Sequence, residues 1–311
     1  MAVPLIIDTD PGVDDMLAIL LACASPELDL RAVTTTYGNL GLPVTTRNAA
    51  RLLALAGRHD VPVAAGAPRP LVFAQPGLAA DIHGADGLGG RADGLPEPVR
   101  ALATVGAVDM MASVLREASE PVSIAAIGPL TNVALLLATH PELTDRIGRI
   151  VVMGGAIKGG NTSAVAEFNI WCDPEAAARV LTDTVPVTMI GLDVTQAIGV
   201  DSAWLDDLAT RGTVAATAAG ITRAYNDHFA ALGRRTFAIH DAVTITTLLS
   251  ADLVATEPAT VSVECGGGPA RGCTVVDRKN PPTDRPPVQV GVSGDGDRIR
   301  ALITDRLGLL G

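Results

Sequence analysis

The run Val3-Pro4-Leu5-Ile6-Ile7-Asp8-Thr9-Asp10-Pro11-Gly12-Val13-Asp14-Asp15 decides how this chain folds. Val3–Ile7 is short and unbroken in its apolar character, the pattern of a parallel strand buried on both faces. It ends in Asp8, turns at Pro11-Gly12 and enters Asp14–Ala24, which reads as an amphipathic helix. A strand handed to a helix across a tight turn opens a βαβ unit, and such units build sheets covered on both sides.

The same alternation continues downstream. Strand-like runs recur at Asp29–Thr36, Val61–Ala64, Val122–Ile127, Ile150–Met153 and Val185–Ile190. Helical spacing fills Val44–Ala56, Val108–Ser119, Thr131–Thr139 and Pro174–Thr182. The pattern predicts an α/β fold, a single domain over residues 1–311 with a mostly parallel, Rossmann-like open sheet flanked by helices. Ligands of such sheets bind beyond the carboxyl ends of the strands, where Asp8 and Asp10 fall. Phe73–Val99 turns to Gly, Pro and Asp without periodicity, and a long irregular stretch in a compact domain is usually functional. Ser202–Leu249 reads as helical. The tail holds β-like pieces at Thr260–Glu264, Thr274–Val276 and Val288–Val292, then a closing helix at Asp297–Leu307.

Composition narrows the function classes. Hydrophobic residues are 48% and charged residues 18% of 311, enough for a large core and too apolar for disorder. No apolar stretch reaches the length of about 18 residues that a membrane span needs. The N-terminus lacks a basic, apolar leader, and the four cysteines are scattered without C-x-x-C spacing, so a cytoplasmic setting is expected. Net charge is −11, and Lys158 and Lys279 are the only lysines, which argues against a nucleic-acid groove and for a small neutral substrate or a metal.

Four aspartates within eight residues repel one another unless water or a cation lies among them. Asp14 and Asp15 could simply open a helix, where the dipole favours negative charge. A hard divalent cation is the other reading, since calcium takes about 6–8 oxygen ligands. A strand ending in Asp-x-Asp also resembles the haloacid dehalogenase-type phosphatases, although Pro11 and the Asp14-Asp15 pair do not suit that motif. A non-catalytic calcium-stabilised sugar-binding protein is the third possibility.

Asp8-Thr9-Asp10-Pro11-Gly12-Val13-Asp14-Asp15 resembles the signature of the inosine-uridine-preferring nucleoside hydrolase family. Further segments follow that family's order: Tyr37-Gly38-Asn39, His83-Gly84-Ala85-Asp86-Gly87-Leu88-Gly89, Asn161, Glu167-Phe168-Asn169 before Asp173-Pro174-Glu175, and His240-Asp241. The phosphatase reading expects nothing at His240-Asp241. The resemblance implies Ca2+ held by Asp10, Asp15, Asp241 and the main-chain oxygen of Ile127, a position that is commonly threonine in relatives. It implies ribose binding by Asp14, Asn39, Asn161, Glu167 and Asn169, with Asp8 as support behind the site. Asp10 would act as general base on water. The base would leave as an anion or be protonated, with His240, whose ordinary pKa is near 6.5, the first candidate acid and His83 a helper. Tyr225 and His228 share a helix face, where core or surface packing is the first reading, and the resemblance adds a place over the base. The implied reaction is hydrolysis of a ribonucleoside's N-glycosidic bond, in a homodimer or homotetramer. Two Trp, two Tyr and four Phe make a purine stacking slot hard to see in the composition, which tilts the expectation toward uridine and cytidine over inosine.

Overall fold

The structure is a computed structural model that describes residues 2–74 and 78–310. Its nine-stranded sheet is built from β1 (Val3–Thr9), β2 (Leu28–Thr35), β3 (Val63–Ala65), β4 (Val122–Ala126), β5 (Ile147–Met153), β6 (Val187–Ile190), β9 (Val254–Val263), β10 (Thr274–Asp277) and β11 (Val288–Gly294). A separate two-stranded sheet pairs β7 (Gly199–Val200) with β8 (Phe237–Ala238). The large sheet runs β10-β9-β11-β6-β5-β4-β1-β2-β3. From β3 to β11 every pairing is parallel, and β9 and β10 close the far edge antiparallel.

The chain steps outward from β1 to β2 and β3, then returns to β4 on the other side of β1. The order 3-2-1-4-5-6 is the doubly wound one, and its switch point lies between β1 and β4. Neighbouring loops leave a switch point in opposite directions, so a crevice opens at the ends of β1 and β4, where Asp8 to Asp10 and Ile127 stand.

The alternation of β1 explains the layers. Leu5 and Ile7 join the core cluster on one face, with Val33, Val151 and Ile190, and Ile6 joins the cluster on the other, with Ile124, Val152 and Met189. The helix Val13–Cys23 departs from the expected amphipathic pattern, because Val13 through Ala22 are all buried. It lies beneath the helices Leu42–Leu55, Thr213–Ala231, His240–Leu249 and Gly296–Leu307, and a helix wrapped on all sides has no water-facing stripe to keep polar.

Other boundaries also differ. Ser202–Leu249 is three helices, Ser202–Leu208, Thr213–Ala231 and His240–Leu249, broken by Gly212 at φ +108° and by β8. β9 begins at Val254 rather than at residue 260. The irregular stretch carries short helical turns at Ala80–His83 and Ala92–Gly94, and its residues 75–77 lie outside the described ones. Asp86 organises it by accepting N–H bonds from Leu88, Gly90 and Ala92. Among the described residues, no helix is long and apolar enough to cross a membrane.

Candidate active site

At the switch point the aspartates are buried together. Asp8, Asp10, Asp14, Asp15 and Asp241 are each no more than 6% exposed. Carboxylate oxygens of Asp14, Asp15 and Asp241 lie within 4.8 Å of one another. Asp15 is the most firmly held. It accepts from the Thr9 hydroxyl, from Asn39 Nδ2 at 3.0 Å and from the Gly12 N–H at 2.9 Å, which also makes it a helix-start residue. Asp15 therefore opens the helix and also stands among the clustered carboxylates.

Asp10 lies outside that 4.8 Å group, and Asp14, expected on the sugar, is inside it. The reason is that Asp10 Oδ2 is turned to the Asn39 N–H, 2.6 Å away. Its Oδ1 is buried without a partner among the described residues, one of the few such atoms. Gly38 (φ +155°) and Gly128 make room for that carboxylate, since a Cβ at either position would lie 2.0 and 2.5 Å from its oxygens. Asp8 behaves as support. Its Oδ1 accepts from Thr34 and from Asn132, which ties β1 to β2 and to the helix Thr131–Thr139.

The expected ribose residues converge on one cleft of about 850 Å³, lined by Asp14, Asn39, Ile127, Asn161, Glu167, Asn169 and Asp241. Their hydrogen bonds show which of their atoms are already engaged. Asn39 spends its amide N–H groups on Asp15 and on the Asp10 carbonyl, so its oxygen is the part left for a ligand. Glu167 caps the helix Phe168–Cys172, accepting from Asn169, Ile170 and Gly155 N–H groups. Asn169 donates to the carbonyls of Ile127 and Met153, so the Ile127 oxygen offers a cation only its second lone pair. Asn161, at the exposed rim, accepts from the Phe168 N–H.

The cleft is also lined by aromatic rings. His83, His228, His240, Tyr225, Phe168, Phe229 and Phe237 line the cleft, with Gln196 and Arg235 toward its mouth. Three of the four Phe and one of the two Tyr are gathered here, a concentration at one place that a count over the whole chain does not reveal. Tyr225 sits among these rings, its own 5.4 Å from His83, 4.9 Å from Phe229 and 5.4 Å from Phe237. It packs and lines the cleft together, and His228 meets Phe229 edge-on.

Electrostatics differ from the ordinary values expected above. Burial holds the His83 ring down to about 3, helped by the nearby His240 and His228, and burial holds His240 down to about 4. Burial thus favours the uncharged ring at both positions, and a neutral imidazole can still donate one hydrogen bond. His83 Nδ1 accepts the Val13 N–H at 3.1 Å, a free donor of the helix start, which leaves the ring proton on Nε2. Burial raises Asp8 and Glu167 to about 7, and burial with repulsion from Asp15 raises Asp14 to about 8. The Asp10 and Asp241 carboxyls stand well above the usual range for the same two reasons.

A carboxyl raised on folding favours the folded chain while protonated and loses that contribution as pH climbs through its folded pKa. The two depressed histidines oppose this while the unfolded imidazoles still bind protons, an effect that fades above their ordinary pKa near 6.5, and the raised carboxyls outnumber them. In a chelator, the thermal unfolding midpoint is thus expected to fall from about pH 6.5 to about pH 8. A midpoint that rises across this window in a calorimetric series would contradict the burial of these groups.

The profile of the inosine-uridine preferring nucleoside hydrolases matches residues 5–301. The chain is 43% identical to the pyrimidine-specific ribonucleoside hydrolase RihA of Salmonella arizonae over 100% of both chains. It is 44% identical to the protein of that name from Citrobacter koseri, over 99% of this chain and 98% of the relative. Among solved structures it is similar to the plant nucleoside hydrolase PpNRh1, with TM-score 0.92 and 32% identity over 99% of each chain. A purine-preferring ribonucleoside hydrolase from Gardnerella vaginalis is equally similar, with TM-score 0.92, 32% identity and coverage of 99% and 98%. The phosphatase reading leaves the His240-Asp241 wall of this cleft without a role, and these matches extend over nearly the whole chain: it belongs to the inosine-uridine preferring nucleoside hydrolase family and is a nucleoside hydrolase.

Proposed function

We propose that this hydrolase is calcium-dependent and cleaves pyrimidine ribonucleosides, uridine and cytidine, in preference to inosine, releasing ribose and the free base. One juxtaposition carries the reading: the buried acidic cluster of Asp14, Asp15 and Asp241 adjoins a cleft lined by Asp14, Asp241, His83, His240 and several aromatic rings. The pyrimidine preference is supported by relatives at 43–44% identity that bear the pyrimidine-specific name, against 32% for the purine-preferring structure.

The residues fit a hard cation. Asp10 Oδ1 is a buried oxygen without a donor among the described residues, Asp15 and Asp241 oxygens crowd together, and the Ile127 carbonyl retains a lone pair. These four would hold calcium, which when bound supplies positive charge that acidifies a water and orients vicinal hydroxyls. Asp14, Asn39, Asn161, Glu167 and Asn169 bind the ribose, and the carboxylates among them favour the cationic, oxocarbenium-like sugar. Asp10 takes a proton from the attacking water as the O–C1′ bond forms. The C1′–N bond breaks and its electron pair moves onto the base. His240 meets that developing charge with a hydrogen bond, with His83 beside it, as neutral imidazole can. Tyr225 and His228 bound the base.

The test is release of reducing sugar from a panel of nucleosides in calcium. Uridine and cytidine are expected to exceed inosine in kcat/KM by about tenfold or more, the range a shaped pocket achieves. Equal rates for uridine and inosine would overturn the preference.

A further inference from the structure

His240 can help a leaving base only if the nitrogen facing the cleft carries hydrogen, and a neutral imidazole has one N–H to place on either of two nitrogens. Its Nδ1 lies 2.7 Å from the hydroxyl of Thr195. Thr195 is fully buried, at the end of the short helix Leu192–Thr195 that follows β6. We propose that Thr195 is a positioning residue that sets the tautomer of His240, its hydroxyl donating to Nδ1 so that Nε2–H faces the leaving base.

The direction of that bond follows from what surrounds the hydroxyl. Among the described residues, His240 Nδ1 is its one hydrogen-bond partner. Were Nδ1–H to donate, the Thr195 hydroxyl hydrogen would be buried with nothing to accept it, and an orphaned buried donor costs about 1–3 kcal/mol. When the hydroxyl donates, both groups are satisfied and only spare lone pairs remain. Nδ1 is then occupied, and Nε2 is the ring nitrogen left for a ligand in the cleft that His240 lines. His83 reaches the same tautomer by another route, through the Val13 N–H.

The fold holds the pair in place. β7 begins four residues after Thr195 and β8 ends two residues before His240, and the two strands pair antiparallel, Gly199 with Ala238 and Val200 with Phe237. This small ladder sets one segment against the other. On the opposite side, Asp193 accepts the Ile157 N–H, and Gly191 packs where a Cβ would lie 2.7 Å from the Gly155 carbonyl oxygen. The helix carrying Thr195 is thus tied at both ends to the strand ends that carry the site.

The inference rests on His240 as the leaving-base donor, so the test separates the two. Rates are compared on uridine and on p-nitrophenyl β-D-ribofuranoside, whose activated leaving group departs without help and shares the sugar half of the site. T195V removes the donor at nearly the same shape, T195S keeps it, and H240A removes the ring. T195V is expected to lower kcat on uridine about tenfold or more, leave the nitrophenyl riboside within about twofold, and regain most of the uridine rate as T195S. Turnover of the nitrophenyl riboside also reports that the variant is folded. If H240A is selective for uridine but T195V slows both substrates alike, or neither, the role of Thr195 falls alone. If H240A slows both alike, the reading of His240 falls and this inference with it.

Discussion

Replacing Asp10 with alanine is expected to abolish nucleoside turnover while leaving the protein folded. Loss of a general base costs about 10²–10⁴ in rate, and Asp10 is also assigned to the cation, so the combined loss should reach the detection limit. The fold should survive because Asp10 is a strained tenant of the core. Its carboxyl is pushed well above the usual range by burial and by Asp15, and one of its oxygens has no donor among the described residues. Removing such a group relieves repulsion at the expense of a single hydrogen bond from the Asn39 N–H. Asp10→Asn is the closer control, since it keeps the shape and can still accept from Asn39, yet cannot take a proton from water. Both variants are checked by reducing-sugar release on uridine and by thermal unfolding. A D10N enzyme within about tenfold of the parent rate would remove Asp10 from the role of base.

Stripping divalent cations should silence the enzyme and loosen its fold, and calcium should reverse both. Among the described residues, the ion pairs do not include Asp8, Asp10, Asp14, Asp15 or Asp241, so no Arg or Lys neutralises the floor of the cleft. Buried carboxylates this close cannot all ionise at neutral pH unaided. A cation that binds only the folded chain, present at about 100 times its Kd, adds about 2.7 kcal/mol, a rise in the unfolding midpoint of about 5 °C. Calcium is expected to outperform magnesium, which demands near-ideal octahedral geometry that these irregular donors do not offer. The readout is the unfolding midpoint in chelator, calcium and magnesium, with turnover measured alongside. An unfolding midpoint and a rate indifferent to chelator would sink the cation site.

Much of the molecule is legible from local pattern alone. The period of apolar residues marks β1, β2, β4, β5 and β6, because strands buried on both faces must be continuously hydrophobic. The doubly wound sheet follows from their alternation with helices, and placing Asp8 and Asp10 at a strand's carboxyl end needs nothing more than where Ile7 stops and Pro11 begins. The family resemblance then names Asn39, His83, Asn161, Glu167, Asn169 and His240-Asp241, all of them far weaker signals by themselves. Wrong or missing were features that depend on neighbours distant in sequence. The helix Val13–Cys23 reads as amphipathic from its acidic first turn, yet four other helices cover it.

What a side chain does in the cleft was decided only by tertiary structure. Whether Asp15 caps a helix or serves the site, and which way Asn39 turns its amide, depends on hydrogen bonds closed across 24 to 29 residues of chain. The neutrality of His83 and His240 comes from burial, which no dipeptide reveals. The pairing of Thr195 with His240, 45 residues apart, needs a two-residue ladder too short to carry a period. Gathering Phe168, Tyr225, Phe229 and Phe237 into one wall is likewise a matter of three-dimensional proximity. The chain's order of residues determined which groups are present and at which strand ends they stand; packing determined their protonation, their free lone pairs and their partners, because those depend on solvent exclusion and on contacts that only the closed fold makes.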